Sequence, residues 1–256
     1  MKVAKRVVTA LATAALVVCG LIYLPVQVLT GILIVLAALV HLEFSQMVSR
    51  KYPVMVWPGV VAGVLFLVSK FFFYDSCFTL ILFALAVLAL FSRGDKPVAA
   101  WATTTLGFFY VPVLVSYFIV LLEPGRFATP WPLLYLISIV KVSDMGGFAF
   151  GMAFGRHKMC PSISPGKSWE GLGGSLFGSC LVSCCFMPLT GFCVAKALAF
   201  GVAAAVCGTL GDLVESRVKR ECGVKDSATF MPAGMGGFLD MFDSLLFVPA
   251  LFLPFL

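Results

Sequence analysis

Ionisable residues are concentrated in one stretch of an otherwise apolar chain, between Asp212 and Ser244. Ten of the thirty Lys, Arg, Asp and Glu residues lie there: Asp212, Glu215, Arg217, Lys219, Arg220, Glu221, Lys225, Asp226, Asp240 and Asp243. The stretch follows one strongly apolar run and precedes another. Because charge is costly beside a bilayer, such a cluster predicts a functional site.

The carboxylates of this stretch recur at helical spacing. Four residues at i, i+3, i+4 and i+7 share one helix face: Asp212, Glu215, Ser216 and Lys219. Asp240 and Asp243 repeat the i, i+3 spacing before the next apolar run. Carboxylates on adjoining helix ends are oxygen ligands that Mg²⁺ prefers, alongside substrate phosphates, and nearby Lys and Arg can neutralise phosphate oxygens. A solvated loop would explain some of these charges but not their one-face spacing.

A second polar cluster interrupts an apolar run at Lys141–Gly147. Asp144 lies three residues after Lys141, close enough for the two to pair on one helix face. Two interpretations stay open, a structural ion pair and a site residue. The glycines Gly146 and Gly147 permit close backbone approach and favour a site.

A third cluster runs Ser162-Ile163-Ser164-Pro165-Gly166-Lys167-Ser168-Trp169-Glu170-Gly171. Hydroxyls, a glycine and a lysine ahead of a helix start, which we predict at Ser168–Glu170, can cradle a phosphate. Pro161 stands where a Walker loop needs glycine, so that motif is excluded. Taken alone, the cluster favours a structural turn.

The composition indicates a polytopic membrane protein. Hydrophobic residues make up 61% of the chain, charged residues 12%, and mean hydropathy is +1.06; soluble domains carry about 25% charged residues. The net charge of +6 comes with no basic block interleaved with aromatics, so nucleic-acid binding is excluded. The nine cysteines contain no Cys-x-x-Cys pair, and we interpret them as small buried hydrophobes.

We predict an all-α membrane helical bundle of about nine transmembrane helices, since about 20 apolar residues span a bilayer. The candidate runs are 7–24, 27–46, 54–73, 77–92, 99–122, 130–150, 174–190, 195–213 and 243–256. Pro249 and Pro254 predict a kink in the short last run. We divide this one integrated membrane domain into N-terminal helices, residues 1–130, and a C-terminal catalytic region, residues 131–256.

The distribution of Lys and Arg predicts the orientation. The N-terminus and the even-numbered gaps hold nearly all of them, and the opposite side has only Lys70, Arg126 and Lys196. The positive-inside rule therefore places the polar clusters in the cytoplasm, at an inner membrane. Leu16-Val17-Val18 is a poor cleavage site, so we expect an uncleaved first span rather than a signal peptide. Glu43 either faces the bundle interior or is solvated at the interface.

The motifs resemble a known family. Ser216-x-Val218-Lys219-Arg220, Lys225-Asp226 and Gly236-Gly237-x-x-Asp240-x-x-Asp243 resemble the signature of phosphatidate cytidylyltransferases, also called CDP-diacylglycerol synthases. Ser164-Pro165-x-Lys167-Ser168-x-Glu170-Gly171 is similar to that family's second hallmark. The resemblance covers Lys141–Ser244, and the first 130 residues only by hydropathy.

The resemblance implies a multi-span helical enzyme that joins CTP to phosphatidic acid in the bilayer and releases pyrophosphate, with Mg²⁺ as cofactor. A second metal ion and a homodimer are left open. The implied catalytic residues are Asp144, Lys167, Asp212, Lys219 and Asp240. The implied substrate-binding residues are Ser164, Ser168, Ser216, Arg220, Lys225 and Asp226. The implied metal ligands are Asp212, Asp240 and Asp243.

The sequence departs from the family pattern in three ways. Met235 replaces the family's histidine, Met241 replaces its arginine, and one extra residue follows Pro232. A proton-transfer role for that histidine therefore cannot apply, and a phosphate contact made by that arginine has to come from elsewhere, with Arg217 and Arg220 as the candidates.

Other functions remain as alternatives. A CTP-dependent polyprenol or phytol kinase would transfer the γ-phosphate and release CDP instead of pyrophosphate. A transporter would spread acids through several spans at mid-depth, whereas eight of the twelve acids lie between Asp144 and Asp243. A catalytically inactive lipid-binding relative is the third alternative.

Overall fold

The computed structural model describes residues 18–73, 77–91, 95–123, 130–227 and 237–255. Its helices are α1 (18–23), α2 (Val26–Ser49), α3 (Val56–Phe73), α4 (Phe78–Leu90), α5 (Pro97–Phe108), α6 (Leu114–Leu121), α7 (Trp131–Phe154), α8 (Trp169–Cys185), α9 (Met187–Thr190), α10 (Val194–Glu221), α11 (Phe238–Phe242) and α12 (Val248–Phe252). A π-helical segment, Phe109–Val113, joins α5 to α6, and a 3-10 turn, Leu253–Phe255, follows α12.

Four helical stretches of the described chain are long and apolar enough to cross a bilayer: Val26–Ser49, Pro97–Leu121, Trp131–Phe154 and Val194–Glu221. Two shorter apolar helices, Val56–Phe72 and Phe78–Leu90, lie between the first two. The helical membrane architecture agrees with the prediction, but the predicted count of nine spans is not confirmed. Most of the first predicted span, 7–24, lies outside the described residues.

The predicted ninth span at 243–256 is not confirmed, because the described part of this region forms no single continuous helix. This region contains the five-residue helix α12 and the 3-10 turn. Five residues rise about 7.5 Å, far less than the ~30 Å hydrocarbon core. Pro249 lies in the first turn of α12, and Pro254 lies in the 3-10 turn. These prolines have no amide hydrogen with which to extend the helix.

One antiparallel hairpin departs from the all-α prediction. Strands β1 (Lys158–Cys160) and β2 (Ser164–Ser168) pair with Lys158 opposite Ser168 and Cys160 opposite Ser164. Prolines before and within β2 and the adjacent Gly166 disfavour a helix here. The predicted helix start is confirmed, because Ser168 caps α8 by accepting the Gly171 amide at 3.1 Å.

Helices α7 and α8 pack through small residues. A Cβ on Gly174 would overlap the carbonyl oxygen of Gly146, so the two backbones touch. Two serines lock the pair, because Ser143 Oγ donates to the Ser175 carbonyl at 3.3 Å and Ser175 Oγ donates to the Ser143 carbonyl at 3.0 Å. Small residues of this kind let membrane helices approach closely. Their contact holds the α7 residue Asp144 beside the hairpin and the start of α8.

Two apolar clusters form the core. One gathers Tyr135, Phe200 and Phe252 around α7, α8, α10 and α12. The other, which we call the α2–α6 cluster, contains Phe44, Phe66, Leu67, Phe108 and Val111, all buried. Leu239 and Leu246 also belong to the α2–α6 cluster. The segment that carries Asp240 and Asp243 is therefore anchored in the N-terminal helices.

Connections that the charge rule assigns to one side of the membrane contact one another. Tyr52 donates its hydroxyl to Glu221 at the end of α10, and Lys51 Nζ lies 3.6 Å from the same carboxylate. Arg220 Nε donates to the Ile163 carbonyl in the hairpin turn at 3.3 Å. The loop after α2, the hairpin and the end of α10 thus meet at one end of the bundle.

Candidate active site

A cavity of about 590 Å³ lies between α7, the hairpin, α8, α10 and the segment after residue 237. Seven predicted site residues line it: Asp144, Ser164, Lys167, Ser168, Asp212, Asp240 and Asp243. Its size lies within the range of about 300–1,000 Å³ that small-molecule sites occupy. Three polar clusters that are far apart in the sequence therefore share one site.

Lys167 joins the hairpin to α10. Its Nζ lies 2.7 Å from Asp212 Oδ2 and donates to the Thr209 carbonyl at 2.9 Å. The other Asp212 oxygen, Oδ1, accepts from Ser216 Oγ at 3.2 Å. Asp212 therefore has a partner on each oxygen, and the predicted residues Lys167, Asp212 and Ser216 form one connected group.

Lys219 is held between two carboxylates. Its Nζ lies 2.5 Å from Glu215 Oε2 and 2.8 Å from Asp240 Oδ1. Asp240 Oδ2 accepts the Gly237 amide at 2.6 Å, at the start of α11. Burial alone would raise the pKa of Asp240, but the Lys219 ammonium and the Gly237 amide hold that pKa below its ordinary value. Asp240 thus fastens α11 to α10.

Asp212, Glu215 and Asp243 form a compact carboxylate group. One oxygen from each lies within 4.8 Å of the other two. Glu215 is 1% exposed, and its Oε1 has no hydrogen-bond partner among the described residues. Asp243 follows α11, outside the four helical stretches that are long enough to cross a bilayer, and burial together with the neighbouring Asp212 carboxylate raises its pKa to about 7. Three converging oxygens fit a hard divalent cation such as Mg²⁺.

This grouping differs from the predicted metal set in one member. Glu215 joins Asp212 and Asp243, whereas Asp240 points one oxygen at Lys219 and the other at the Gly237 amide. Glu215 could have been found from its i+3 spacing after Asp212. A metal-binding role for Asp240 stays a prediction.

Asp144 is only loosely paired with Lys141. The Lys141 Nζ lies 4.0 Å from Asp144 Oδ2, with both side chains about half exposed, and it also donates to the Met241 carbonyl at 3.2 Å. Ser244 Oγ donates to Asp144 Oδ2 at 3.0 Å. Asp144 therefore lines the cavity together with its hydrogen-bond partner Ser244. It does not form a close ion pair with Lys141 alone.

Several predicted residues lie away from the cavity wall. Arg220 is bonded to the hairpin turn, and Lys225 and Asp226 are exposed beyond the end of α10. Met241 is 51% exposed and carries no polar side-chain group. Met235, together with Pro232, Gly234 and Gly236, lies outside the described residues.

Sequence reasoning did not identify Lys158, Thr209 and Ser244, which are polar residues that also line the cavity. Lys158 lies on β1, and within the described chain no ion pair engages it. Glu43, for which the sequence allowed either the bundle interior or the solvated interface, is buried inside the bundle. Its Oε2 accepts the Leu239 amide at 3.0 Å. Nothing local in the sequence signals that contact.

The sequence profile of the cytidylyltransferase family matches residues 4–256. The chain belongs to the cytidylyltransferase family. This confirms the family predicted from the motifs between Lys141 and Ser244, and it extends the likeness through the N-terminal helices.

Relatives in the cytidylyltransferase family carry a more specific name. The chain is 40% identical over 141 residues to the phosphatidate cytidylyltransferase of Mycobacterium bovis, a match that covers 54% of this chain and 44% of the relative. For that of Mycobacterium tuberculosis the identity is also 40% over 141 residues, covering 54% and 41%. For that of Staphylococcus aureus it is 44% over 118 residues, covering 45% of each. The matched regions span less than half of each relative.

Proposed function

We propose that this protein is an integral membrane phosphatidate cytidylyltransferase that makes CDP-diacylglycerol for phospholipid biosynthesis. The observation that carries the proposal is the cavity itself. It gathers four carboxylates, two lysines and the hairpin hydroxyls in a chain of the cytidylyltransferase family. The names of the relatives support phosphatidate as the lipid substrate.

The reaction joins two anions. A phosphate oxygen of phosphatidic acid attacks the α-phosphorus of CTP, the bond from that phosphorus to the oxygen bridging the β-phosphorus breaks, and pyrophosphate leaves with the electron pair. A phosphate monoester is already nucleophilic, so the reaction needs charge neutralisation and positioning more than a strong base. The described lining of the cavity, which holds lysines and carboxylates and no histidine, suits that requirement.

The carboxylate group fits Mg²⁺ because it offers three converging oxygen donors, one of them from the buried Glu215. We assign Asp212, Glu215 and Asp243 to hold the ion, with the number of ions left unspecified. When bound there, Mg²⁺ would neutralise phosphate oxygens and stabilise the pyrophosphate leaving group. Asp240 contributes by fixing Lys219 beside Glu215.

The lysines and hydroxyls of the site bind the substrate phosphates and position the carboxylates. Lys167, positioned by Asp212 and Thr209, lies on the same strand as Ser164 and Ser168 and orients the nucleotide phosphates with them. Lys158 faces the cavity with no carboxylate partner in the described chain, so its charge is available to an incoming phosphate. Ser216 and Ser244 hold Asp212 and Asp144 in place.

The two substrates reach the cavity from different directions. Phe148 and Met152 of α7 line the cavity yet are 66% and 69% exposed, so they give the lipid an apolar route sideways from the bilayer. The contacts among basic connections at one end of the bundle support CTP entry there. By the positive-inside rule that end faces the cytoplasm, across an inner membrane.

The test is turnover by the purified protein with phosphatidic acid, Mg²⁺ and CTP labelled in the cytosine ring. We expect the label to enter the organic phase, with one pyrophosphate released per labelled lipid. A parallel reaction uses CTP labelled at the γ-phosphate. Label from that position in the lipid, with release of CDP, would overturn the proposal in favour of a lipid kinase. Absence of turnover would favour a catalytically inactive lipid-binding relative.

A further inference from the structure

Tyr110 is a buried polar residue of the N-terminal helices that the proposed reaction does not use. It lies in the π-helical segment Phe109–Val113, which also contains Pro112. Such segments are frequent at functional sites. Tyr110 is 8% exposed, and its hydroxyl has no hydrogen-bond partner in the part of the chain that the structure describes.

Aromatic packing places the Tyr110 ring between α2 and the segment that follows Asp243. The ring stacks on Phe44 with centroids 5.0 Å apart and packs edge-on against Phe247 at 5.8 Å. Phe247 in turn packs on Gly211, where a Cβ would lie 3.1 Å from its ring and 2.7 Å from the Asp243 carbonyl oxygen. Tyr110 therefore approaches the carboxylate group from the side of α10 and Asp243.

The surroundings of the hydroxyl are acidic. The carboxylates of Glu215, Asp243 and Asp212 are near enough to Tyr110 to act on it electrostatically. These are the same three residues whose oxygens converge within 4.8 Å. The buried Tyr110 side chain is therefore a neighbour of this carboxylate group, without a direct hydrogen bond to it.

Two buried polar atoms in this site lack partners among the described residues, the Tyr110 hydroxyl and Glu215 Oε1. A buried group without a hydrogen bond costs about 1–3 kcal/mol, and such a group in a native fold commonly marks a water or ion. A divalent ion such as Mg²⁺ keeps several of its own waters when protein carboxylates bind it. Such waters can accept from a hydroxyl and donate to a carboxylate.

We propose that Tyr110 is a positioning residue for the cation site of Asp212, Glu215 and Asp243, with its hydroxyl hydrogen-bonding a water of the cation's hydration shell. We rest this inference on the cation-binding part of the proposed function. It assigns the N-terminal helices a water-mediated contact with the site, in addition to their supporting role.

The test substitutes Tyr110→Phe, which keeps the ring between Phe44 and Phe247 and removes only the hydroxyl. Binding of Mn²⁺ to the full-length protein, free of nucleotide, is measured by electron paramagnetic resonance. We expect affinity to fall roughly three- to tenfold, the loss of one hydrogen bond. The metal-free melting temperature should be unchanged or slightly raised, because the hydroxyl has no partner to lose.

Tyr135→Phe is the matched control. Tyr135 is fully buried, its hydroxyl lies 2.7 Å from Ser183 Oγ, and it does not line the cavity. We expect this variant to melt at a lower temperature and to bind Mn²⁺ like the parent. Glu215→Gln, a substitution at a proposed ligand, should weaken Mn²⁺ binding more than Tyr110→Phe does.

Mn²⁺ affinity within twofold of the parent in Tyr110→Phe, with a clear loss in Glu215→Gln, would overturn the inference. Absence of Mn²⁺ binding by the parent would remove both the inference and the cation part of the proposed function. Weaker Mn²⁺ binding by Tyr110→Phe in a protein that forms no CDP-diacylglycerol would support the inference while the proposed reaction fails.

Discussion

Two regions of the molecule pack in opposite ways. One is the interface between α7 and α8, and the other is the α2–α6 cluster. At the first, Gly146 and Gly174 let two backbones touch, and Ser143 and Ser175 exchange hydrogen bonds across the contact. In the second, bulky side chains such as Phe108 fill the space between helices. The small residues at the first allow the polar backbone and Asp144 to lie close to the cavity. The large residues of the second fill space with apolar side chains.

The two regions have different roles: one lines the cavity, and the other supports it. The cavity draws its lining from α7, the hairpin, α8, α10 and the segment after residue 237. The α2–α6 cluster contributes no residue to that lining, yet it anchors Leu239 and Leu246 on either side of Asp243. Substitutions in the two regions should therefore affect turnover and stability differently.

The largest expected effect is on turnover, from Asp212→Asn. The change keeps the shape of the side chain but removes the charge that binds Lys167 and belongs to the carboxylate group. We expect a loss on the order of a thousandfold, about 4 kcal/mol in the barrier, with little change in melting temperature. Glu221→Gln, an exposed acid on the same helix, should keep near-normal turnover. A folded Asp212→Asn protein with more than a tenth of normal activity would contradict the assignment.

The converse test is Leu67→Ala in the α2–α6 cluster. Leu67 is 1% exposed, so its truncation leaves a cavity and should lower stability by about 2–5 kcal/mol. Below the melting temperature, turnover should stay within about threefold of normal. Leu65→Ala, on the same helix but 57% exposed, is the control and should melt like the parent. Turnover lost in Leu67→Ala at temperatures where it is fully folded would break the separation of the two regions.

Gly174→Ala tests the close approach of α7 and α8. The added methyl would meet the Gly146 carbonyl and the Phe150 side chain, so we expect a loss of about 1–3 kcal/mol in stability and reduced turnover as Asp144 shifts. Gly173→Ala is the neighbouring control, since a Cβ there has nothing within 4 Å. Equal melting temperatures and activities for the two variants would show that the contact is not tight.

The smallest expected effect is from Lys158→Met. An exposed charge contributes about 1 kcal/mol at most, so we expect KM to rise about fivefold for whichever substrate phosphate Lys158 meets, with kcat little changed. Separate titrations of CTP and of phosphatidic acid identify that substrate, and Lys158→Arg should recover part of the loss. Lys196→Met is the control, because Lys196 lies over the Phe192 ring, away from the cavity. Unchanged KM for both substrates would remove Lys158 from the site.

Local sequence patterns were sufficient to predict part of the site. The polar stripe of α10 follows from helical spacing, and the start of α8 follows from a serine that caps it. Both depend on residues within one or two turns of each other. The family signature similarly predicted which clusters share the cavity.

Longer-range features could not be predicted in the same way. Asp240 and Asp243 have the same spacing as Asp212 and Glu215, yet the short helix α11 turns Asp240 to Lys219 and leaves Asp243 with Asp212. That outcome depends on how the final segment packs against α10, where Gly211 meets the Asp243 backbone. The hairpin was missed because its two strands are short and lack apolar alternation.

The bond from the Leu239 amide to Glu43 joins residues 196 positions apart. The ribosome synthesises Glu43 long before Leu239, so Glu43 lacks this hydrogen-bond partner during most of translation. Folding of the last segment therefore completes a contact begun by one of the earliest helices, and a protein truncated before residue 239 would leave that early helix with its acid unsatisfied.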